Sequence, residues 1–364
     1  MQNFWNELPK PFFVQAPLAN VTDAAFRRVI AKYSKPGGPD AMYTEFTSAD
    51  GLVLAGPEGR AKLMRDLLIS PAERPIVAQF FTAVPLMVEK AAALAEELGF
   101  DGVDINMGCP DTAIEKQEAG AKLMLNPTLA QELIAAAKRG APNLPVSVKT
   151  RLGYNKDMLE EWLPALLAAG PAAVAIHLRT RKEMSKVSAH WERAKRAVEI
   201  RNQCQGDTLP GERTLIIGNG DLKDIDDARE KIQATGVDGA MLGRALFGTP
   251  WLFADAPAGV ASKKSGARSA KESSSGEINR LLTPPEESFA SLKKRLRIAV
   301  EHTKLFEELL GDIKSFAIMK KHFKAYAEGF AGARELRIAL METQTAAEVE
   351  AIIEKFLAKE YTGL

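Results

Sequence analysis

Several side chains of this sequence could transfer a proton or bind an anion, and each follows a short apolar run. Cys109 lies in the polar turn GVDINMGCPDT, between a glycine and a proline. A cysteine in such a turn is a candidate acid or nucleophile, whereas most single cysteines are small core residues. Lys149 and Arg151 are two residues apart, so both point the same way if they share a strand. A lysine placed there is costly to bury unless it meets an anion or a polar ligand.

A histidine and two glycines extend this set. His177 also ends an apolar run; alone it could be a core histidine, but its polar company favours a ligand contact. Gly220 and Gly243 follow two further runs. Backbone N–H groups approach a phosphate closely only where no Cβ intervenes. With Arg244 supplying charge, these turns predict a phosphate site, and the alternative is two ordinary tight turns.

The apolar runs themselves predict eight strands, at residues 13–16, 42–46, 76–80, 103–106, 146–150, 173–177, 215–218 and 240–243. They are apolar rather than alternating, which is typical of parallel strands buried on both faces. Amphipathic segments between them predict helices, for example at residues 23–32, 85–98, 127–138, 159–168 and 224–234. This alternation over about 250 residues predicts a TIM (β/α)8 barrel. The alternative is an open doubly wound sheet, which usually has fewer strands and a Gly-x-Gly-x-x-Gly turn after the first.

In a TIM barrel, function lies at the carboxyl ends of the strands. Every predicted strand here ends in a group able to contact a ligand. These groups are Pro17, Leu18 and Ala19, then Glu45, Gln79, Asn106 with Cys109, Lys149 with Arg151, His177 with Arg179, Asn219 with Gly220 and Asp221, and Gly243 with Arg244. The succession predicts one ligand site at the barrel mouth.

Composition sets the limits on the rest of the chain. With 46% hydrophobic and 26% charged residues in 364, it can form a large core. The net charge of +1 excludes binding of nucleic acid by bulk charge. Two cysteines exclude a disulfide framework and a four-cysteine zinc site, and we predict no metal site. Neither a secretory signal nor a membrane span is evident, so we expect a reduced, cytoplasmic protein.

Three domains are predicted from the change of character along the chain. Residues 1–256 form the barrel, residues 257–288 are a Ser- and Lys-rich linker or insertion expected to be flexible, and residues 289–364 form an all-helical domain of four helices. Residues 291–324 carry nine lysines and arginines against four acidic residues. Such a run is either a solvated helix face or a surface that contacts phosphates.

The sequence resembles the tRNA-dihydrouridine synthase family of flavoenzymes. The matching segments span the predicted barrel in order: APLANVTDAAFR, TEFTSADGL, VAQFF, DGVDINMGCP, EAGAKLML, PVSVKTRLGYN, HLRTRKEMSKVSAHW, IIGNGD and GAMLGRALFGTPWLF. MKKHFKAY resembles a motif of the family's helical domain. Three positions depart from the family pattern, namely Leu18, Leu178 and Ser185, where methionine, glycine and tyrosine are usual.

The resemblance implies FMN above the barrel and reduction of a uridine in tRNA, with NADPH or NADH as reductant. It assigns the flavin to Pro17, Leu18, Ala19, Gln79, Lys149 and His177, and the ribityl phosphate end to Asn219, Gly220, Asp221, Gly243 and Arg244. It makes Cys109 the proton donor and places Asn106, Lys149 and Arg151 against the uracil. With tRNA as the partner, the resemblance implies that a basic loop at the mouth of the barrel contains Arg179, Arg181 and Lys182.

Two other functions are compatible with the sequence. One is an FMN barrel that oxidises or reduces a small pyrimidine-like molecule, which leaves the basic helical domain unexplained. The other is an RNA-binding protein with a decayed active site, against which the intact Cys109, Lys149 and His177 count. For the oligomeric state, a monomer is favoured.

Overall fold

The computed structural model describes residues 3–206, 208–254 and 289–362. The chain divides into two compact units, Met1–Ala258 and Gly259–Leu364. None of the helices in these described ranges is long and apolar enough to cross a membrane.

In the described part of the first unit, nine short parallel strands form one sheet. They are β1 Phe12–Gln15, β2 Met42–Tyr43, β3 Thr47–Ser48, β4 Ile76–Phe81, β5 Gly102–Met107, β6 Val146–Gly153, β7 Ala173–Thr180, β8 Leu215–Asn219 and β9 Gly239–Leu242. Both β2 and β3 pair with β4, so together they fill one position of the ring. The single strand predicted over residues 42–46 was wrong, because the chain leaves the strand at Thr44 and Glu45 accepts a hydrogen bond from the Asn20 N–H.

The sheet closes into a barrel between β1 and the segment that enters β2. Val14 and Ala41 form a parallel bridge. The Gln15 N–H donates to the Ala41 carbonyl at 3.1 Å, and the Asp40 N–H donates to the Phe13 carbonyl at 2.8 Å. Because β1 also pairs with β9, the ring has eight positions and both sides of β1 are engaged. The predicted TIM barrel is confirmed, and the open doubly wound sheet is excluded.

Helices surround the barrel in the order that the sequence periodicity predicts. They are α1 Ala24–Ser34, α2 Ala49–Leu54, α3 Pro57–Asp66, α4 Pro85–Glu97, α5 Thr112–Glu115, α6 Pro127–Gly140, α7 Leu159–Ala168, α8 Trp191–Cys204 and α9 Ile225–Thr235. Side-chain caps fix several starts: Asp23 accepts from the Phe26 N–H at 3.0 Å and Asn126 from the Leu129 N–H at 3.2 Å. Cys204 is the last residue of α8, and the buried Ala194, Ala197 and Ile200 of that helix recur at helical spacing.

The hydrophobic core has two layers. One cluster fills the barrel interior and includes Phe12, Val14, Tyr43 and Ile217. A larger cluster lies between the strands and the surrounding helices. Two layers of packed side chains hold the strand ends at fixed positions, which a site assembled from separate strands requires.

Within residues 289–362 four helices form the second unit, as the sequence predicted. They are α10 Phe289–Leu310, α11 Met319–Tyr326, α12 Ala333–Glu342 and α13 Ala346–Thr362. Their core contains a fully buried histidine pair, His302 and His322, with ring centroids 4.5 Å apart. The predicted linker, residues 257–288, lies outside the described residues, so the three-domain boundaries stay predictions.

Candidate active site

A cavity of about 630 Å³ opens at the carboxyl ends of the barrel strands, and we call it the mouth cavity. Most of the predicted site residues line it, although they come from six separate segments of the chain. They are Pro17, Leu18, Ala19, Asn106, Cys109, Lys149, Arg151, His177, Asn219, Gly220, Asp221, Gly243 and Arg244. Gln79, Arg179 and Arg181 do not line it. No cluster of three or more His, Cys, Asp or Glu suited to a metal ion occurs in the described ranges.

Two glycine turns bring backbone close to the mouth cavity. Gly220 has φ of +131°, and a Cβ there would lie 2.8 Å from the Ala189 Cβ and 3.2 Å from the His177 ring. A side chain at this position would therefore be both strained and crowded. A Cβ on Gly243 would meet the Ala16 Cβ at 3.3 Å. Both turns leave backbone accessible where a larger residue would cover it.

A cation is held beside these turns by a carboxylate. Asp221 accepts hydrogen bonds from Arg244 at 2.6 Å, from the Ala189 N–H at 2.9 Å and from Arg179. These donors outweigh the effect of burial and keep the pKa of Asp221 below its ordinary value, although burial by itself raises that pKa. The Arg244 side chain is 63% exposed, so its remaining donors face solvent at the mouth. The result is an oriented positive charge next to exposed backbone, which suits a phosphate.

His177 is a neutral imidazole of defined tautomer. Burial, and then the neighbouring cations Lys149 and Arg151, lower the pKa of His177 to about 2. Its Nε2 lies 3.0 Å from an Arg179 nitrogen. Because a guanidinium can only donate, Nε2 is the acceptor and Nδ1 carries the proton.

Lys149 supplies a positive charge with a reduced pKa. Burial, and then Arg151, lower the pKa of Lys149 to about 8, while Asp104 opposes the shift. Lys149 pairs in register with Asn106 of β5, so their side chains share one level of the barrel. At neutral pH the lysine remains mainly protonated and can donate hydrogen bonds to a polar ligand.

The turn that carries Cys109 is fixed from three sides. The Asn106 side-chain oxygen accepts from the Gly108 N–H at 3.1 Å and from the Cys109 N–H at 2.9 Å. The Cys109 carbonyl accepts from the Ala121 N–H at 2.9 Å. Gly120, at φ +62°, packs so closely that a Cβ would lie 2.7 Å from the same carbonyl. Burial raises the pKa of the Cys109 thiol, which therefore stays protonated at neutral pH.

Arg151 joins this turn to the loop over residues 181–190. Its Nε donates to the Gly108 carbonyl at 2.7 Å, and its Nη1 donates to the carbonyls of Met184 at 3.1 Å and Thr180 at 3.3 Å. Burial lowers the pKa of Arg151 to about 10. The guanidinium thus shapes the cavity wall as well as lining it.

Arg179 and Arg181 are placed differently from the basic loop that the sequence suggested. Arg179 is 2% exposed and donates to the Val187 carbonyl at 2.7 Å, to His177 and to Asp221. Arg181 is paired with Glu115 through two nitrogens and lies over the Tyr154 ring at 5.1 Å. Both guanidinium groups are paired with carboxylates of the protein, Arg179 in the interior and Arg181 partly exposed, and in this arrangement they position the cavity wall. Their role in RNA binding remains an untested prediction.

Gln79, which the resemblance assigned to the flavin, lies outside the lining of the mouth cavity. Gln79 is fully buried below the mouth cavity, where it accepts a hydrogen bond from Asn106 at 3.1 Å. Asp104 was not singled out from the sequence. Its carboxylate accepts a hydrogen bond from the Gln79 Nε2 at 2.6 Å. The sequence signal that could have identified Asp104 is a carboxylate inside an otherwise apolar strand. Ser185, a departure from the family pattern, lines the cavity, and nothing in its position along the chain indicated that.

The closed parallel barrel, with a cavity at its carboxyl end that charged and polar strand-end residues line, defines the class as a TIM-barrel enzyme. Comparison with known proteins gives the family. A dihydrouridine synthase (Dus) family profile matches residues 14–361. A probable tRNA-dihydrouridine synthase of Staphylococcus aureus (strain COL) is 37% identical over 360 residues, which cover 98% of this chain and 97% of that protein. The chain belongs to the dihydrouridine synthase family.

Two further comparisons differ in weight. A probable tRNA-dihydrouridine synthase 2 of Bacillus subtilis (strain 168) is 39% identical over 364 residues, covering all of this chain and 99% of that protein. Among solved structures, a histamine dehydrogenase from Rhizobium sp. 4-9 matches with a TM-score of 0.48 and 12% identity, over 69% of this chain and 47% of that chain. The second likeness is too weak to bear on function.

Proposed function

We propose that this protein is a tRNA-dihydrouridine synthase, which reduces the C5=C6 bond of a uridine in tRNA. The observation that carries the proposal is the protonated thiol of Cys109 in the wall of the same cavity as the Gly220 and Gly243 turns. That combination offers a proton donor and a cofactor cradle in one place. Family membership and the names of the two bacterial relatives support the choice of substrate.

FMN is the proposed cofactor, and the residues of the mouth cavity fit it. The volume of about 630 Å³ suits a ligand of that size. Gly220 and Gly243 leave a cradle that a Cβ would fill, and Arg244 places a cation there for the phosphate end. Lys149, and His177 through its Nδ1–H, would donate to the polar edge of the ring system. Pro17, Leu18 and Ala19 would lie beside the ring, and Asn219 and Asp221 would complete the ribityl phosphate end.

The proposed reaction adds a hydride and a proton across one double bond. In the cavity lined by Gly220, Gly243 and Arg244, reduced FMN would supply the hydride for C6 of the uracil, with NADPH or NADH as the reductant. Cys109 supplies the proton to C5, breaking its S–H bond while the new C–H bond forms. The resulting thiolate takes a proton from water, so that the thiol is restored. A raised thiol pKa keeps Cys109 in the donor form between turnovers.

Other residues of the cavity orient the uracil. Asn106 and Lys149 lie in register on neighbouring strands and present amide and ammonium groups at one level. We assign them to the polar edge of the base, with Arg151 beside them. Leu178 is 1% exposed in the core, so that departure from the family pattern does not face substrate, whereas Ser185 lines the cavity and does.

The substrate is proposed to be tRNA and not a free pyrimidine. A base inside a stacked helix cannot reach a barrel mouth, so the target uridine must be flipped out. That makes phosphate contacts outside the cavity necessary, and residues 291–324 offer a surplus of positive charge for them. On this proposal the protein acts in the cytoplasm, where tRNA is processed.

The proposal is tested with the purified chain and unmodified tRNA transcripts. Denaturation should release FMN, and the protein with NADPH should convert uridine to dihydrouridine in the transcript. Free uracil, uridine and orotate, supplied as matched controls, should not be reduced at a comparable rate. Reduction of a small pyrimidine in preference to tRNA would contradict the proposed substrate, and a protein that does not take up FMN would contradict the cofactor.

A further inference from the structure

A layer of polar side chains crosses the barrel interior directly below the mouth cavity. Gln79 of β4, Asp104 of β5 and Ser147 of β6 are register partners on three neighbouring strands, and all three side chains are buried. The interior of such a barrel is normally filled by branched apolar residues. Burying a carboxylate there is costly, and burial raises the pKa of Asp104 to about 6. Its presence therefore calls for a reason beyond packing.

Asp104 is the end of a hydrogen-bond chain that reaches the turn of Cys109. Its two carboxylate oxygens accept from the Ser147 hydroxyl and from the Gln79 Nε2, each at 2.6 Å. The Gln79 oxygen accepts from the Asn106 Nδ2 at 3.1 Å. The Asn106 oxygen in turn accepts the N–H groups of Gly108 and Cys109.

The direction of this chain is fixed independently at both ends. Backbone N–H groups can only donate, so Asn106 must turn its oxygen toward Cys109 and its nitrogen toward Gln79. A carboxylate can only accept, so Gln79 must turn its nitrogen toward Asp104 and its oxygen toward Asn106. The two requirements agree. An acceptor at position 104 thus selects the one amide orientation of Gln79 that also serves Asn106.

We propose that Asp104 is a positioning residue: it fixes the amides of Gln79 and Asn106 and thereby holds the Cys109 thiol in place for proton transfer. The inference rests on the proposed role of Cys109 as proton donor. It assigns Asp104 no contact with flavin or uracil.

Three variants separate positioning from simple core packing. Asp104→Leu keeps the branched shape and the number of side-chain heavy atoms but removes the acceptor, leaving the Gln79 nitrogen unpaired. Asp104→Asn keeps an acceptor toward Gln79, because its nitrogen can face Ser147, whose hydroxyl is able to accept. Ser147→Ala removes a hydrogen bond from the same buried layer on the side away from Cys109, and it is the matched control.

The readouts follow the thiol as well as the reaction. In a Cys204→Ser background, which removes the exposed cysteine, the alkylation rate of Cys109 by iodoacetamide against pH reports the thiol itself. Flavin content and the rate of flavin reduction by NADPH report the rest of the site. For Asp104→Leu we expect uridine reduction to fall about tenfold or more, the scale of one orphaned buried donor, with a changed alkylation profile and unchanged flavin reduction. Asp104→Asn and Ser147→Ala should behave as the parent.

Several outcomes would overturn the inference. These are an Asp104→Leu protein with parental alkylation and turnover, or a Ser147→Ala protein that loses as much as Asp104→Leu. If Asp104→Leu does not fold, Gln79→Met interrupts the same hydrogen-bond chain one link nearer to Cys109. A parental alkylation profile of Cys109 in that variant would also contradict the inference. Failure of the proposed function is recognised separately, because the parent protein would then not reduce uridine in tRNA. Failure of the proposed role of Cys109 is recognised by a Cys109→Ala protein that stays fully active on tRNA.

Discussion

At the scale of single residues, the charge state of each group is set by its neighbours rather than by its type. His177 is held neutral among cations, and Cys109 is kept as a thiol by burial. A thiol can donate a proton at neutral pH, and a neutral imidazole can donate a hydrogen bond without adding charge. These states match a site that binds a flavin and protonates a carbon.

Replacing Cys109 by alanine should separate the two half-reactions. FMN content and reduction by the nicotinamide should stay near the parent, because Cys109 carries no charge toward the flavin. Uridine reduction should slow by roughly 10²- to 10⁴-fold, the usual range for a positioned general acid. Stopped-flow flavin absorbance, with and without tRNA, measures both steps. Cys204→Ala is the control, and parental turnover by Cys109→Ala would identify Cys109 as a structural cysteine.

Gly220→Ala should reduce FMN binding and stability together. The new Cβ would meet the Ala189 Cβ at 2.8 Å, in a backbone conformation that L-residues rarely adopt. Gly236→Ala is the matched control, since Gly236 also has a positive φ, of +75°, but no described atom lies within 4 Å of its added Cβ. That control should lose about 1 kcal/mol of stability and keep its flavin. Equal flavin occupancy in the two variants, measured by titration with FMN, would contradict the assignment of the Gly220 turn to the cofactor.

At the scale of elements, α11 has one face that packs in the core and one exposed face that carries lysines. Met319, His322, Phe323 and Tyr326 are buried, at helical spacing, while the exposed side carries lysines. Lys321 and Lys324 are exposed and Lys320 is half-buried, and none of the three makes an ion pair with another described residue. A solvated lysine face of this kind is available to phosphates.

Charge reversal on that face tests whether it binds RNA. Lys320→Glu with Lys321→Glu and Lys324→Glu should weaken binding of all tRNAs alike. The dependence of log affinity on log salt should become shallower by about 2 to 3, because fewer counterions are released. The control carries the same change of charge elsewhere, Lys62→Glu with Lys90→Glu and Lys195→Glu, all on exposed positions. FMN content should not change in either protein. Indistinguishable affinities and salt slopes for the two triple variants would mean that the α11 face is only solvated.

At the scale of the whole molecule, buried histidines tie stability to pH. Burial lowers the pKa of His322 to about 3, and burial also lowers that of His302 well below its ordinary value of 6.5. Between pH 6.5 and about 3 the unfolded chain therefore binds protons at these sites that the folded chain does not. Stability contributed by the neutral rings is complete above pH 6.5 and is lost as the pH falls.

The free energy of unfolding should consequently decrease as the pH falls below 6.5. At pH 5 the loss should be about 2 kcal/mol for each buried histidine, from 1.4 kcal/mol per unit of pH. His322→Gln should show a shallower decrease than the parent in urea titrations between pH 7.5 and pH 5. The comparison is made on slopes, so a constant loss of stability from the substitution does not affect it. Parallel slopes for parent and variant would contradict a neutral, buried His322.

The sequence by itself determined the class of fold and most of the residues that line the mouth cavity. Short apolar runs buried on both faces define parallel strands because both sides of each strand must be covered, and eight of them leave little choice but a closed ring. Most of the polar residues at the strand ends then line the mouth cavity, since all parallel strands end on the same side, although Glu45, Gln79 and Arg179 do not. Cys109, Lys149, His177 and Gly220 could be named for this reason.

Only the tertiary structure decided which partners those residues have. Arg179 and Arg181 resemble a free basic loop in the sequence, but folding brings Asp221, from the segment after β8, and Glu115, from α5, against them. Asp104 is one carboxylate within an apolar strand until β4 and β6 place Gln79 and Ser147 beside it. The interruption between β2 and β3 likewise depends on Asn20, which is distant in sequence. Local propensity sets periods and turns, whereas hydrogen-bond partners and pKa shifts arise from groups that meet only when the barrel closes.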